Sequence, residues 1–121
     1  DVLITSNLFG DILTDEASVI SGSMGLMPSA SIGNESALYE PIHGSYPEAT
    51  GKQIANPIAS ILSLSMMLEY SFNLKDESQI INRAVEESLI NRHTTPDLNS
   101  DNKAYSTKQV GDYIVDFIKK S

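Results

Sequence analysis

The sequence predicts an α/β chain with too few strands to build a covered sheet of its own. Three observations carry this reading. Apolar residues recur at helical spacing in several segments, short β-prone runs at 1–5 and 37–42 interrupt them, and the stretches between are rich in Gly, Pro, Ser and Asn. A parallel sheet with helices on both faces needs more strands than these, so the sequence reads as one part of a larger α/β fold.

The first run, Asp1 to Thr5, is apolar and β-rich and predicts a strand. Ser6 or Asn7 can cap a helix over residues 8–20, where Ile12, Leu13, Ala17 and Ile20 share a face and Ser21-Gly22-Ser23 ends it. Residues 22–36 read as loop with room for one short strand. Ala37 to Ile42 is a strand in which Pro41 excludes a central, fully paired position. A polar loop follows, from His43 to Ala55. Asn56-Pro57 then marks a helix start, Asn as cap and Pro in the first turn, running to about Ser71. A further helix begins near Asp76 with Ile80, Ile81, Ala84, Val85 and Leu89 on one stripe. The last begins at Ser106 or Thr107, with Val110, Ile114, Phe117 and Ile118 inward and Lys119 and Lys120 at its negative end. The four methionines are expected to fill core gaps. His93, at a helix end, is expected to be a surface cap.

Composition narrows the function classes. With 40% hydrophobic residues in 121, the chain can pack a core. Sixteen Asp and Glu face eight Lys and Arg, for a net charge of -8, with no basic patch to hold nucleic acid. The absence of cysteine excludes a disulfide scaffold, a thiolate metal site and a cysteine nucleophile. The richest apolar stretch, Ile54 to Tyr70, is broken by Asn56, Pro57, Ser60, Ser63 and Ser65, so no membrane partner is expected. The chain opens at Asp1 directly in an apolar run, and it is expected to start in mid-domain as a fragment of a longer protein.

Two constellations could carry chemistry. In Gly10-Asp11-Ile12-Leu13-Thr14-Asp15-Glu16, Asp11 and Asp15 stand four apart and project from one helix face. A hard divalent cation such as Mg²⁺ or Mn²⁺ would turn their repulsion into coordination, with further ligands supplied from elsewhere. Taken alone, the pair reads more simply as a solvated acidic face. In His43-Gly44-Ser45-Tyr46-Pro47-Glu48-Ala49-Thr50-Gly51-Lys52, glycines allow close approach of a ligand, and the helix opened by Asn56 presents its positive end nearby. The spacing is neither a Walker A loop nor a Rossmann fingerprint. On chemistry alone an ordinary surface loop fits as well.

As text, the two constellations and the segment between them are more specific. Asn7 through Ser18 resembles the metal-site signature of the metal-dependent β-decarboxylating dehydrogenases, the isocitrate/isopropylmalate dehydrogenase family. Gly25-Leu26-Met27-Pro28-Ser29-Ala30-Ser31-Ile32-Gly33 is similar to that family's next segment. Glu40-Pro41-Ile42-His43-Gly44-Ser45, Gly51-Lys52 and Ile54-Ala55-Asn56-Pro57 resemble its adenine-nucleotide loop. The resemblance spans the chain but only the C-terminal third of the family's length.

The resemblance implies part of a two-domain α/β subunit that acts as a cytoplasmic homodimer. Residues 1–21 would end the central, dimer-forming domain, and 22–121 would be the C-terminal half of the outer, cofactor-binding domain. Asp11 and Asp15 would be metal ligands for Mg²⁺ or Mn²⁺. His43, Gly44 and Ser45 would line the adenosine and diphosphate pocket of NAD, Glu48 would bind the adenosine ribose, Asn56 would contact adenine, and Glu40 would lie near the nicotinamide. The wording at 15–18 and 28–31 is similar to the branch that oxidatively decarboxylates 3-isopropylmalate in leucine biosynthesis. Isocitrate and tartrate branches differ there, and a non-catalytic nucleotide-binding module of this fold is the remaining alternative. The sequence departs from the family's habit at Glu48, usually Asp, at Tyr46, usually small, and at Ser21, where Pro is expected. The substrate-binding arginines, the catalytic Lys and Tyr and a further metal-ligating Asp would all precede Asp1. No catalytic residue is then expected in this chain, and alone it is expected to be inactive.

Overall fold

The structure, a computed structural model, describes residues 2–99 and 103–121. Four helices, α1 (Asn7–Ser21), α2 (Ile58–Phe72), α3 (Lys75–Ile90) and α4 (Thr107–Ile118), accompany two strands, β1 (Pro28–Ile32) and β2 (Ala37–Pro41). Short 3-10 turns at Met24–Leu26 and Pro47–Ala49 complete the order.

The strands form an antiparallel hairpin in which Ser29 faces Glu40, Ala30 faces Tyr39 and Ser31 faces Leu38. Pro28 and Pro41 oppose each other at its open end, where a missing ladder donor costs least. The expected position of Pro41 is therefore the observed one, and the strand allowed within 22–36 is β1. The hairpin lies against α2, which also packs on α3, and α3 packs on α4.

Helix ends follow from local chemistry. α1 stops at Gly22, whose φ of 86° is a left-handed conformation that glycine adopts without penalty. The Asn56 side chain caps α2, its Oδ1 accepting from the Ile58 N–H at 3.0 Å. α2 starts at Ile58 and leaves Pro57 as the residue before it, one position later than the sequence suggests. Ser106 and Gln109 form a reciprocal capping box at α4. Ser6 precedes α1, but its side chain makes no cap bond.

The core is where the periodicity puts it. Ile58, Ala84, Val85, Val110 and Ile114 form one buried cluster, with Leu26, Ile61, Leu62, Tyr105, Phe117 and Ile118 packed around it. Between α2 and α3 the buried Ser65 Oγ lies 2.8 Å from Ser78 Oγ and 2.9 Å from Asn82 Oδ1, so hydroxyls enter this interface only in satisfied pairs.

Three expectations need correction. Residues 2–5 form no strand; Asp1 lies outside the described residues. A strand requires a ladder partner, and the hairpin is the whole sheet among the described residues. His93 is not a surface cap. Its backbone N–H closes the end of α3 on the Ser88 carbonyl, but its half-buried ring is stacked between Tyr105 and Tyr113, with centroids 4.3 and 4.1 Å away. The methionines do not fill the core: Met27, Met66 and Met67 are half-buried and Met24 is exposed, because branched aliphatics and alanine already close it.

This division of labour is testable by chemical denaturation. Ile114→Ala, at a fully buried position, is expected to destabilise the protein by about 2–5 kcal/mol, whereas Val115→Ala on the exposed side of the same helix should change stability by less than about 0.5 kcal/mol. Equal losses at the two sites would mean that α4 does not present the face described.

Candidate functional site

One cavity gathers most of the loop residues singled out by the sequence. Its volume is about 350 Å³, and its walls include His43, Gly44, Ser45, Tyr46, Ala55 and Asn56 from the loop and Gly25 and Asp97 from outside it. That volume is at the small end of ligand pockets, about 300–1,000 Å³, and suits a nucleoside-sized group rather than a whole dinucleotide.

His43 and Asn56 both line it. His43 Nδ1 lies 2.9 Å from the Gly44 carbonyl and can only donate to it, so the proton sits on Nδ1 in the neutral ring. Nε2 is then an acceptor, and it is shielded from solvent with no partner among the described residues. Buried polar atoms are rarely left unmatched, and this one has no contact with the open space of the cavity that its residue lines. Asn56 supplies the opposite polarity through its amide.

Asn56 is held from three sides. Its Oδ1 caps α2, and its Nδ2 donates to Asp97 Oδ2 at 3.0 Å. Beneath it, a Cβ placed on Gly25 would lie 2.6 Å from Asn56 Cβ, so only glycine permits this approach. Asp97 also accepts from the Ser23 and Thr95 hydroxyls. Burial by itself raises the Asp97 pKa, but the hydrogen bonds from Ser23, Thr95 and Asn56 outweigh it and hold the carboxyl below its ordinary value.

Asp97 and Ser23 are residues that sequence reasoning missed. Asp97 follows Pro96 in a polar turn and has the appearance of any loop carboxylate. Its partners Ser23 and Asn56 lie 74 and 41 residues away in the chain, a relation that no local spacing records.

The remaining site candidates stand apart from the cavity. Glu48 is exposed on the 3-10 turn that follows Tyr46 and is not part of the wall. Glu40, on β2, borders a separate groove against α2 with Tyr39, Ser60, Ser63, Leu64 and Met67. Asp11 and Asp15 are exposed on α1. Their carboxylates are free of hydrogen bonds among the described residues, where no cluster of three metal-ligating side chains occurs. Two hard oxygen donors one turn apart could supply part of the shell of a divalent cation, the rest coming from elsewhere.

Comparison with known proteins places these features. Residues 1–114 match the family model described as isocitrate/isopropylmalate dehydrogenase. The chain is similar to a 3-isopropylmalate dehydrogenase of Bacteroides fragilis, 53% identical over 100% of the chain and 34% of that protein. It is similar to a homoisocitrate dehydrogenase of Methanocaldococcus jannaschii, 52% identical over 99% of the chain and 33% of that protein. Among solved structures, the isocitrate dehydrogenase of Methylococcus capsulatus superposes with a TM-score of 0.92 at 43% identity, covering 98% of this chain and 35% of that one. The chain thus spans about a third of the length of the curated relatives it matches.

The lowered pKa of Asp97 has a pH signature. A carboxyl depressed in the folded state contributes stability that is present above its ordinary value of 3.8 and lost as pH falls through the lower folded value. Melting temperatures of the parent and Asp97→Asn are therefore expected to differ at pH 7 and to converge as pH falls below about 4. A gap that stays constant from pH 7 down to acid would show that charge on Asp97 plays no part.

Proposed function

This chain belongs to the isocitrate/isopropylmalate dehydrogenase family, and on that premise we propose that it is the C-terminal third of an NAD-dependent 3-isopropylmalate dehydrogenase of leucine biosynthesis. The observation that carries the reading is identity of about one half, along the whole chain, to 3-isopropylmalate dehydrogenases. The apolar surface of α1 and the residues before it supports a longer protein. Val2, Leu3, Ile4, Leu8, Phe9 and Ile20 are all exposed, an area that further chain would cover.

In this reading the cavity receives the adenosine end of NAD. The Watson–Crick edge of adenine offers a ring acceptor, to which the remaining N–H of the Asn56 amide could donate. Gly44 lets the backbone approach the phosphates, and Glu48, a turn beyond, accepts from ribose hydroxyls. Glu40 would lie toward the nicotinamide, which takes up the hydride. Asp11 and Asp15 would hold Mg²⁺ or Mn²⁺, which when bound supplies Lewis-acid polarisation of the substrate's hydroxyl and carboxylate oxygens. The reaction oxidises the C2 hydroxyl of 3-isopropylmalate and releases the 3-carboxyl as CO₂. Residues 1–21 would belong to the dimer-forming domain and the rest to the cofactor domain of a cytoplasmic homodimer.

A second reading, homoisocitrate as substrate, is favoured by the comparable identity of the Methanocaldococcus enzyme. Assay of the full-length protein on 3-isopropylmalate, homoisocitrate and isocitrate separates them, and kcat/KM is expected to be highest for the first. Asp11→Asn should lower turnover by about a hundredfold or more with folding intact, because a neutral amide keeps the shape but loses the charge that holds the cation. Near-normal turnover at limiting Mg²⁺ would return the pair to a solvated acidic face.

Cofactor choice is testable in the same protein. Among the described residues the cavity wall contains no Lys or Arg to receive the 2′-phosphate of NADP, and the Glu48 carboxylate would repel it. NAD is expected to be preferred, with Glu48→Lys shifting the kcat/KM ratio toward NADP. An unshifted ratio would remove Glu48 from the selection.

A further inference from the structure

We propose that Asp97 is a positioning residue of the cavity: its carboxylate locks the Asn56 amide in one orientation, leaving one N–H for a ligand. The proposal rests on the reading of the cavity as the adenosine end of a cofactor site.

A primary amide has two faces that differ only in which atom donates, and its orientation is set by its neighbours. At Asn56 both neighbours agree. The Ile58 N–H can only donate and therefore selects Oδ1, at 3.0 Å. The ionised Asp97 carboxylate can only accept and selects Nδ2, also at 3.0 Å. A flipped amide would set donor against donor and acceptor against acceptor, leaving two groups unpaired. Nδ2 carries two hydrogens and spends one on Asp97. The other remains for the cavity that Asn56 lines.

Asp97 is itself fixed. Thr95, fully buried, donates to Oδ1, and Ser23 donates to Oδ2. The Ser23 hydroxyl also accepts from the Gly25 N–H at 3.1 Å, and Gly25 underlies Asn56. The contacts close into a ring, Asp97 to Ser23 to Gly25 to Asn56 and back, drawn from three chain segments. A carboxylate is needed at its centre because three donors converge there and an amide would bring hydrogens of its own.

The test is a double-mutant cycle on NAD affinity, measured by equilibrium titration of the full-length protein, with melting temperatures recorded alongside. Asn56→Ala and Asp97→Asn are each expected to raise the Kd for NAD about tenfold, and the double variant should bind within about twofold of Asn56→Ala alone. Multiplying losses would overturn the proposal, since Asp97 would then act independently of Asn56. Loss in Asn56→Ala without loss in Asp97→Asn would also overturn it while keeping the cavity as the cofactor site. An unchanged Kd in Asn56→Ala would instead reject the cavity reading itself. If Asp97→Asn does not fold, Asp97→Ser takes its place in the cycle and is read the same way.

Discussion

The close approach of Gly25 to Asn56 is the contact on which the cavity depends. Where a Cβ would lie 2.6 Å from a neighbouring Cβ, two backbones are touching, and here they are the turn before the hairpin and the entry to α2. Seating that turn sets the start of β1 two residues later, and the hairpin then lies along α2. On the other side, Ile58 follows Asn56 by two residues and is fully buried in the cluster with α3 and α4. One contact therefore ties the loop that lines the cavity to the core that stabilises the chain. The polar ring through Asp97 holds the same junction from outside.

The two ends of the molecule obey different physics. From β1 onward, helices and hairpin bury apolar side chains against each other, and the buried hydroxyls of Ser65 and Ser88 find partners. α1 has no buried residue, and its apolar Leu8, Ile12, Leu13 and Ile20 are all exposed. The difference is not one of helical character, since α1 has the regular apolar spacing of a core helix. Its apolar face lacks a surface to pack against within these residues.

Helices were legible because their signals are local. Periodicity located α3 and α4 and most of the residues they bury, though Leu89 is exposed, Ser106 marked the start of α4, and Gly22 marked the end of α1. Pro41 was correctly barred from a central, fully paired position because a missing N–H is a property of one residue. The predicted strand at 1–5 failed for the complementary reason: β structure is a relation between segments, and Val2, Leu3 and Ile4 have no ladder partner among the described residues. His93 was misread on the same ground, since the tyrosines that enclose its ring come from 12 and 20 positions downstream. In the cavity, His43, Gly44, Ser45 and Asn56 lie within one stretch of sequence and came together as expected. Asp97 did not declare itself, because two of the three donors that distinguish it, Ser23 and Asn56, come from distant segments.

The separation of Glu40 and Glu48 from the cavity follows from the shape of the loop between β2 and α2. β2 leaves Glu40 beside the α2 groove, and the chain then turns through His43 to Tyr46 across the cavity before the 3-10 turn carries Glu48 outward. A ligand confined to the cavity would meet neither carboxylate, but a dinucleotide is far longer than a nucleoside-sized space. An extended ligand anchored by its base between His43 and Asn56 must leave the cavity, and its ribose, phosphates and second ring must then run over this chain's surface. Polar groups spread over an exposed path, rather than gathered in one pocket, are what such a ligand requires. In the proposed reading, these residues would lie along the path of one end of an elongated ligand.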